Sequence, residues 1–232
     1  MHPWFRNGKF AGLFYLIFIV TFPLASYMRS QLISYDDTAA TVDNITANEL
    51  LFRTAFITEI ISALFFLLAA WALFLLLEPV NKSIAMLFLL LNLSGVAIEC
   101  MNMAYMFSAI VLLGGAGYLT AIPADQLQAQ VMFNLDMYRN GFIITQIFFG
   151  TWLLPLGYLV YRSGFLPRAL GIVLVLDFFG IVFWFFQYFL LPDYPVLSYP
   201  GFAVSFIAEV SLTIWLLVKG VKDIGQYKME AG

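Results

Sequence analysis

Apolar residues run along this chain in long stretches, and most of the charged residues collect between those stretches. Two stretches, 10–28 and 140–161, contain no charged residue at all. Each is close to the length of about 20 residues that a helix needs to cross a bilayer. Four more apolar stretches contain a single acidic residue each: 54–77, 84–113, 169–192 and 201–218. This pattern predicts an all-α polytopic membrane protein with six transmembrane helices.

Polar segments with turn-forming or helix-starting residues connect the predicted helices. The connections 78–83 and 162–168 are short and contain Gly or Pro, which stop one helix and start the next. Segments 38–52 and 124–138 are longer, and we expect each to form a short amphipathic helical segment at the outer surface that runs into the following helix. Because 62% of the residues are hydrophobic and only 11% are charged, we predict a single transmembrane domain over 1–232.

The distribution of basic residues predicts the orientation in the membrane. Of the 11 Lys and Arg residues, Arg29, Arg53 and Arg139 fall on one side of the predicted bilayer. The others fall on the opposite side: Arg6, Lys9, Lys82, Arg162, Arg168, Lys219, Lys222 and Lys228. Cytoplasmic loops are rich in Lys and Arg, so both termini are predicted to be cytoplasmic. A signal peptide is the alternative for the first helix, but its apolar run is longer than that of a typical signal peptide.

Several apolar segments resemble one another. The stretch 52–60 at the start of the second helix is similar to 138–147 at the start of the fourth, and 206–210 repeats its central residues in the sixth. The matched helices run in the same direction, which favours three related helical hairpins about an axis normal to the membrane. The alternative is coincidence among segments that are rich in Phe and Ile.

Acidic residues inside the predicted helices are the candidates for function. A charged group at the bilayer centre costs at least about 2.5 to 3.5 kcal/mol, so its presence requires a reason. Each of these acids lies on a stripe of polar residues along its helix, and such stripes face the protein interior rather than lipid. We expect them to meet in one cavity in the outer half of the bundle. The candidate ligand-binding residues are Glu59, Glu99, Glu209, Gln146, Asn102, Arg53 and Arg139.

Counter-charges for these acids are scarce. Arg53 and Arg139 are predicted at the outer mouth, with Asp136 one turn before Arg139, whereas Asp177 is nearer the cytoplasmic end, where Arg168 could pair with it. Counted with the three glutamates, the carboxyl groups outnumber the two outer arginines. We therefore expect at least one carboxyl to bind a proton, or a cation or cationic ligand to bind among them. The alternative is that the acids only hold the helices together by hydrogen bonds.

Other chemistry finds little support in the sequence. The single histidine, His2, precedes the first helix, and the single cysteine, Cys100, lies inside the third, so neither a metal site nor an internal disulfide is predicted. No nucleophile elbow, phosphate-binding loop or dinucleotide fingerprint occurs, so no cofactor is expected and no catalytic residue can be named. The net charge of -3 and the lack of a basic patch argue against a nucleic-acid partner.

Five motifs resemble a known membrane family. They are Asn48–Arg53, Phe148–Gly150, Leu156–Leu159, Tyr161–Arg168 and Trp215–Gly220. Together they are similar to the family catalogued as domain of unknown function 4386, and the likeness extends over nearly the whole chain. The resemblance implies a bacterial, helical, multi-span protein of the plasma membrane without an assigned activity, and it implies no catalytic residue.

Three functions are compatible with these observations. The first is a membrane protein that binds or transports a proton, an ion or a small cationic ligand through the carboxyl groups, with Arg53 and Arg139 at the mouth. The second is a membrane enzyme that acts on a lipid by carboxylate acid/base chemistry, and the third is a structural or regulatory subunit. Membrane lipids are the expected surroundings. A bundle of six helices is small for enclosing a transport pathway by itself, so we also expect a homo-oligomer.

Overall fold

A computed structural model describes residues 8–221 of the chain. The prediction that both termini are cytoplasmic concerns residues outside this range. His2, Arg6, Lys222 and Lys228 also lie outside the described residues.

Helices make up nearly all of the described chain, and no strand occurs between residues 8 and 221. Short 3-10 helices, Gly117–Ala121 and Pro195–Ser198, lie in two of the connections. The α-helices are α1 (Lys9–Ser30), α2 (Thr38–Ala47), α3 (Glu49–Leu77), α4 (Lys82–Leu113), α5 (Ala124–Thr151), α6 (Leu153–Arg162), α7 (Arg168–Leu190) and α8 (Tyr199–Val218). The predicted all-α fold is confirmed.

Six helical segments are long and apolar enough to cross a membrane, as predicted. Four of these are the helices α1, α3, α4 and α7. The fourth segment along the chain consists of α5 and α6 together and has 39 residues. The sixth consists of the second 3-10 helix and α8. The amphipathic segment 124–138 is therefore the beginning of the same helix that contains the apolar residues after 140.

Local sequence explains where these helices begin and break. The Asp37 carboxylate accepts a hydrogen bond from the Ala40 backbone N–H at 2.9 Å and so caps the N-terminus of α2. Asn48 separates α2 from α3, and its amide donates to the Asn44 carbonyl at 3.1 Å. Pro155 has no N–H for the carbonyl of Thr151, the last residue of α5, so the helix is interrupted there and resumes as α6.

The described chain divides into two compact units. Unit 1 consists of residues 8–17, 64–96 and 145–221, and unit 2 consists of residues 18–63 and 97–144. The helices α1, α3, α4 and α5 contribute residues to both units, whereas α6, α7 and α8 belong to unit 1 alone. The predictions of a single domain and of three related hairpins stay predictions.

Unit 1 combines an aromatic cluster with close helix contacts. The ring of Trp152 lies 5.0 Å from that of Phe66 and 6.4 Å from that of Tyr15 between centroids. Helix α7 packs against α6 and α8. A Cβ added to Gly180 of α7 would lie 2.9 Å from the Cα of Gly201 in α8, so only glycine allows these two backbones to approach this closely.

Unit 2 has its own apolar core beneath α2. Val42 and Ile45 of α2 are buried together with Phe52 of α3, Met103 of α4 and Leu135 of α5. The Thr41 hydroxyl donates to the Ser34 carbonyl at 2.8 Å, which ties α2 to the connection that precedes it. Four helices are thus held around one core, and the polar groups of this unit are positioned by the same helices.

Candidate functional sites

Glu59 of α3 is the centre of the polar cluster in unit 2. Its side chain is buried, and its two carboxylate oxygens have different partners. One oxygen accepts a hydrogen bond from the guanidinium of Arg29 in α1, and the other accepts from the Tyr138 hydroxyl of α5. The guanidinium carbon also lies 5.3 Å from the centroid of the Tyr138 ring. An ion pair, a hydrogen bond and a cation–π contact therefore meet in one place.

Helix α4 adds an amide and a second carboxyl to this cluster. The amide nitrogen of Asn102 donates to the backbone carbonyl of Tyr138 at 2.8 Å. One turn before Asn102, Glu99 is buried and lies within electrostatic range of the Tyr138 hydroxyl. A Cβ on Gly141 of α5 would overlap the Asn102 amide, so glycine is needed for this contact. We call Arg29, Glu59, Glu99, Asn102 and Tyr138 the Glu59 cluster.

A second pair of carboxyl groups lies in unit 1, on the neighbouring helices α7 and α8. Asp177 is buried, and one of its oxygens accepts a hydrogen bond from the Ser205 hydroxyl of α8. Glu209, one turn after Ser205, interacts with the Tyr15 hydroxyl of α1 and lies within electrostatic range of Asp177. In residues 8–221, no Lys or Arg forms an ion pair with either acid. We call Asp177 and Glu209 the acid pair.

Further buried polar atoms occur in unit 1. The Thr213 hydroxyl, one turn after Glu209 on α8, makes no hydrogen bond to the described part of the chain. The second oxygen of Asp177 and both polar atoms of the Asn92 amide in α4 are likewise without a hydrogen bond to described residues. Buried polar atoms are usually satisfied, so these groups are suited to hydrogen bonding with a water molecule or a small ligand.

The predicted site residues are divided between the two units. Glu59, Glu99 and Asn102 belong to the cluster in unit 2, together with Arg53 and Arg139 elsewhere in that unit. Glu209 and Gln146 belong to unit 1, where the Gln146 amide donates to the Thr145 hydroxyl at 3.3 Å.

One of the ion pairs follows the spacing in the sequence, and the partners of Arg53 and Glu59 do not. Arg53 pairs with Glu49 on its own helix at 2.6 Å, and both side chains are about half exposed. Arg139 pairs with Asp136 at 2.8 Å, as its spacing suggested, and its guanidinium carbon lies 4.0 Å from the centroid of the Tyr35 ring. The guanidinium beside Glu59 is instead that of Arg29.

Asp177 also has a different neighbour from the one suggested by its position near the cytoplasmic end. The Arg168 guanidinium carbon lies 5.7 Å from the centroid of the Tyr161 ring, and the hydrogen bond of Asp177 goes to Ser205. The polar stripe that joins Ser205 to Glu209 on α8 therefore faces α7. This stripe was visible in the sequence, whereas its pairing with Asp177 depends on how α7 and α8 pack.

Comparisons with known proteins place the chain in a family. The family described as "Domain of unknown function (DUF4386)" matches residues 10–220. This chain belongs to the DUF4386 family. An uncharacterised protein of the archaeon Archaeoglobus fulgidus is similar to it, with 30% identity over 158 residues, which are 66% of this chain and 75% of that protein. No solved structure matches. The resemblance seen in the sequence motifs is confirmed, and the family description carries no activity.

Sequence reasoning missed three residues of the two sites in this DUF4386 protein. Arg29 was placed at the outer membrane boundary without a partner, and Tyr15 and Tyr138 were not among the candidates. The sequence feature that could have identified the two tyrosines as site residues is their position inside or next to long apolar stretches, where a hydroxyl requires a hydrogen-bond partner. With 12 tyrosines in the chain, that signal does not select two of them.

The residues of the two sites favour some ligands over others. In the part of the chain that the structure describes, no group of three or more His, Cys, Asp and Glu side chains is arranged to hold a metal ion. The acid pair offers carboxyl and hydroxyl oxygens, which suit a proton or a hard monovalent cation. The Glu59 cluster adds an aromatic ring and a guanidinium to its carboxyl groups, so the two sites differ in chemistry although both are built around glutamate.

Proposed function

We propose that this protein binds and exchanges a proton, or a small monovalent cation, at the acid pair of Asp177 and Glu209 within the membrane. The observation that carries the proposal is the pairing of two carboxyl groups, one of them fully buried, with hydroxyl partners and without a basic residue among the described contacts. Two neighbouring negative charges in a medium of low dielectric constant repel each other strongly. A bound proton or cation removes this repulsion.

A proton is the simplest occupant. One proton shared between Asp177 and Glu209 leaves a single negative charge, which the hydroxyls of Ser205 and Tyr15 can stabilise by hydrogen bonding. A small alkali cation would instead require several oxygen ligands. The second oxygen of Asp177 and the hydroxyl of Thr213 would add to those of the carboxyl groups.

Exchange of the occupant requires movement of the surrounding helices, and the sequence provides sites for bending. Pro155 lies in the first turn of α6, next to the interruption between α5 and α6, and Pro23 lies inside α1, whose other half contributes Tyr15 to the site. The glycine contact between Gly180 and Gly201 lies one turn from Asp177 on α7 and one turn from Ser205 on α8. A small shift between these two helices would therefore change the distance between the acids, which supports a role in transport.

The site of action that we propose is the plasma membrane of a prokaryote, with both termini in the cytoplasm. The support is the concentration of Lys and Arg on one side of the six candidate spans. The relative from Archaeoglobus fulgidus widens the expectation from bacteria to archaea as well.

The test is the thermal stability of the purified protein in detergent over a range of pH, with Li⁺, Na⁺ and K⁺ each added in turn. We compare wild type with Asp177→Asn and Glu209→Gln, and Asp136→Asn serves as the control because its acid is half exposed and paired with Arg139. Loss of the shared proton at high pH leaves two negative charges side by side. The melting temperature of wild type and of the control should therefore fall as the pH rises.

Each of the two variants of the acid pair should show a weaker pH dependence, because a neutral amide at either position removes the repulsion, while the remaining acid is still enclosed by apolar helices. If one of the cations is the occupant, it should raise the melting temperature of wild type at high pH and have no such effect on the variants. Identical pH and cation responses in all four proteins would contradict the proposal and would leave the acid pair with a structural role. A positive result leads to measurement of proton or cation flux in liposomes.

A further inference from the structure

The guanidinium of Arg29 occupies a position that resembles a ligand site. Arg29 lies in the last turn of α1, and its side chain, 12% exposed, reaches the buried carboxylate of Glu59 on α3. The groups that contact its head come from other helices, namely Glu59 of α3 and Tyr138 of α5. A flexible side chain near a helix end can leave such a position more readily than a side chain in the middle of a helix.

The surrounding groups have the chemistry that proteins use to bind organic cations. Glu59 provides a carboxylate, and the Tyr138 ring provides an aromatic face 5.3 Å from the guanidinium carbon. Carboxylates and aromatic faces together recognise guanidinium and ammonium groups. Tyr138 is held in place on two sides, by its hydroxyl on Glu59 and by the Asn102 amide on its backbone carbonyl. The site is therefore preorganised.

The cluster also contains more acid than base. Glu59 and Glu99 are two buried carboxyl groups, and Arg29 is the single basic residue in the cluster. The Ser62 hydroxyl, one turn after Glu59 on α3, is buried and makes no hydrogen bond to the described chain. A cationic ligand with an N–H group would find the carboxylate of Glu59, a second carboxyl group and an additional hydrogen-bond acceptor here.

We propose that the Glu59 cluster is a binding site for the guanidinium or ammonium group of a small organic cation, and that Arg29 occupies this site in the absence of the ligand. Arg29 acts as a tethered competitor, so the ligand binds when the arginine side chain leaves. This proposal uses residues of unit 2 alone and does not depend on the acid pair. Either proposal can therefore fail while the other holds.

Chemical rescue tests the proposal. The Arg29→Ala variant removes the competitor and leaves Glu59 and Tyr138 in place, so methylguanidinium at millimolar concentration should bind where the arginine head was. We expect it to raise the melting temperature of Arg29→Ala, and to bind this variant at least about tenfold more tightly than wild type. The measurement is a melting curve against methylguanidinium concentration, with NaCl at matched ionic strength.

Three comparisons make the test specific. The double variant Arg29→Ala/Glu59→Gln should lose the response, because the carboxylate is then absent. Arg53→Ala should respond as wild type does, because its partner Glu49 is an exposed residue of the same helix. Methylammonium tests whether the planar guanidinium head is preferred over a point charge.

Poor folding of Arg29→Ala does not end the test. Arg29→Gln keeps more of the side chain and a hydrogen-bond donor for Glu59, and it should show the same response. If neither variant folds by itself, methylguanidinium during purification should restore the yield of folded protein. A melting temperature or yield that ignores methylguanidinium in both variants overturns the proposal, and Arg29 is then only a counter-charge.

Discussion

The two units of this protein place glutamates of apolar helices in opposite electrostatic situations. In unit 2, Glu59 has a guanidinium on one oxygen and a tyrosine hydroxyl on the other. In unit 1, Glu209 has a tyrosine hydroxyl and a second carboxyl group, that of Asp177. Both residues lie within long apolar helices. Their neighbours in sequence do not indicate which of the two glutamates has a basic partner. The partner from another helix decides whether the charge of a glutamate within an apolar helix is compensated.

The energetic consequences of removing the charge differ accordingly. A buried ion pair gains little overall when it is intact, since desolvation offsets the attraction, but removing one partner leaves the other charge uncompensated. An acid beside another acid is already uncompensated, so removing its charge relieves repulsion. The same change from Glu to Gln should therefore have opposite effects in the two units.

The largest effect is expected for Glu59→Gln. The variant leaves the Arg29 guanidinium in a mostly buried position without its carboxylate, and we expect the free energy of unfolding to fall by about 3 to 5 kcal/mol. Glu209→Gln is the matched variant, and it should be neutral or stabilising at high pH. Unfolding in denaturant, followed by tryptophan fluorescence, measures both changes. Equal destabilisation by the two variants would show that the contrast between the units is wrong.

The tyrosines provide a second and smaller contrast. Tyr138→Phe removes the hydrogen bond to Glu59, the acid of an ion pair, so we expect a loss of about 1.5 to 3 kcal/mol in the free energy of unfolding. Tyr15→Phe removes the corresponding contact with Glu209. If the acid pair shares a proton, this loss should be smaller at low pH than at high pH, because a neutral carboxyl group needs the hydroxyl less. A pH-independent effect at Tyr15 equal to that at Tyr138 would contradict the proposed occupant of the acid pair.

The third prediction concerns how the acid pair is positioned. Gly180→Val places side-chain atoms against the backbone of Gly201. Gly201 has no side chain whose rotamer could change to relieve this overlap, so the helices α7 and α8 must separate. Overpacking of this kind costs about 1 to 3 kcal/mol. The separation should also weaken the contact of Asp177 with Ser205 and reduce the pH dependence of the melting temperature.

Two other glycines show whether this effect is specific to unit 1. Gly141→Ala overlaps a side-chain amide, that of Asn102, so it should lower stability without changing the response to pH. Gly117→Ala meets no atom within 4 Å and should change neither property. A Gly180→Val protein that keeps the full pH response would show that the close approach of α7 and α8 does not position the acids.

The six candidate spans could be predicted from sequence because they depend on a property that is local. Long apolar runs between charged residues define the helices, and the predicted stretch 84–113 differs from α4 (Lys82–Leu113) by only two residues at its start. The segment predicted at 124–138 and the predicted span 140–161 form one continuous helix up to Thr151, after which the helix is interrupted and resumes as α6.

The partners of the buried acids could not be predicted, because they depend on packing between distant segments. Arg29 and Glu59 are 30 residues apart in sequence, and Tyr138 and Glu59 are 79 apart. Arg53 was the nearest arginine in sequence to Glu59, yet it lies about half exposed beside Glu49. Closeness along a helix favoured Arg53, whereas the direction of its side chain around the helix axis points it elsewhere.

The smallest effect is therefore expected at the arginine that the sequence favoured most. Arg53 and Glu49 form an exposed pair one turn apart on α3, with exposed fractions of 46% and 54% for the two side chains. Such pairs contribute about 0.3 to 0.5 kcal/mol. Arg53→Ala should change the free energy of unfolding by no more than this, and the change should shrink further at high salt. A loss as large as that of Glu59→Gln would mean that Arg53, and not Arg29, compensates the buried acids of unit 2.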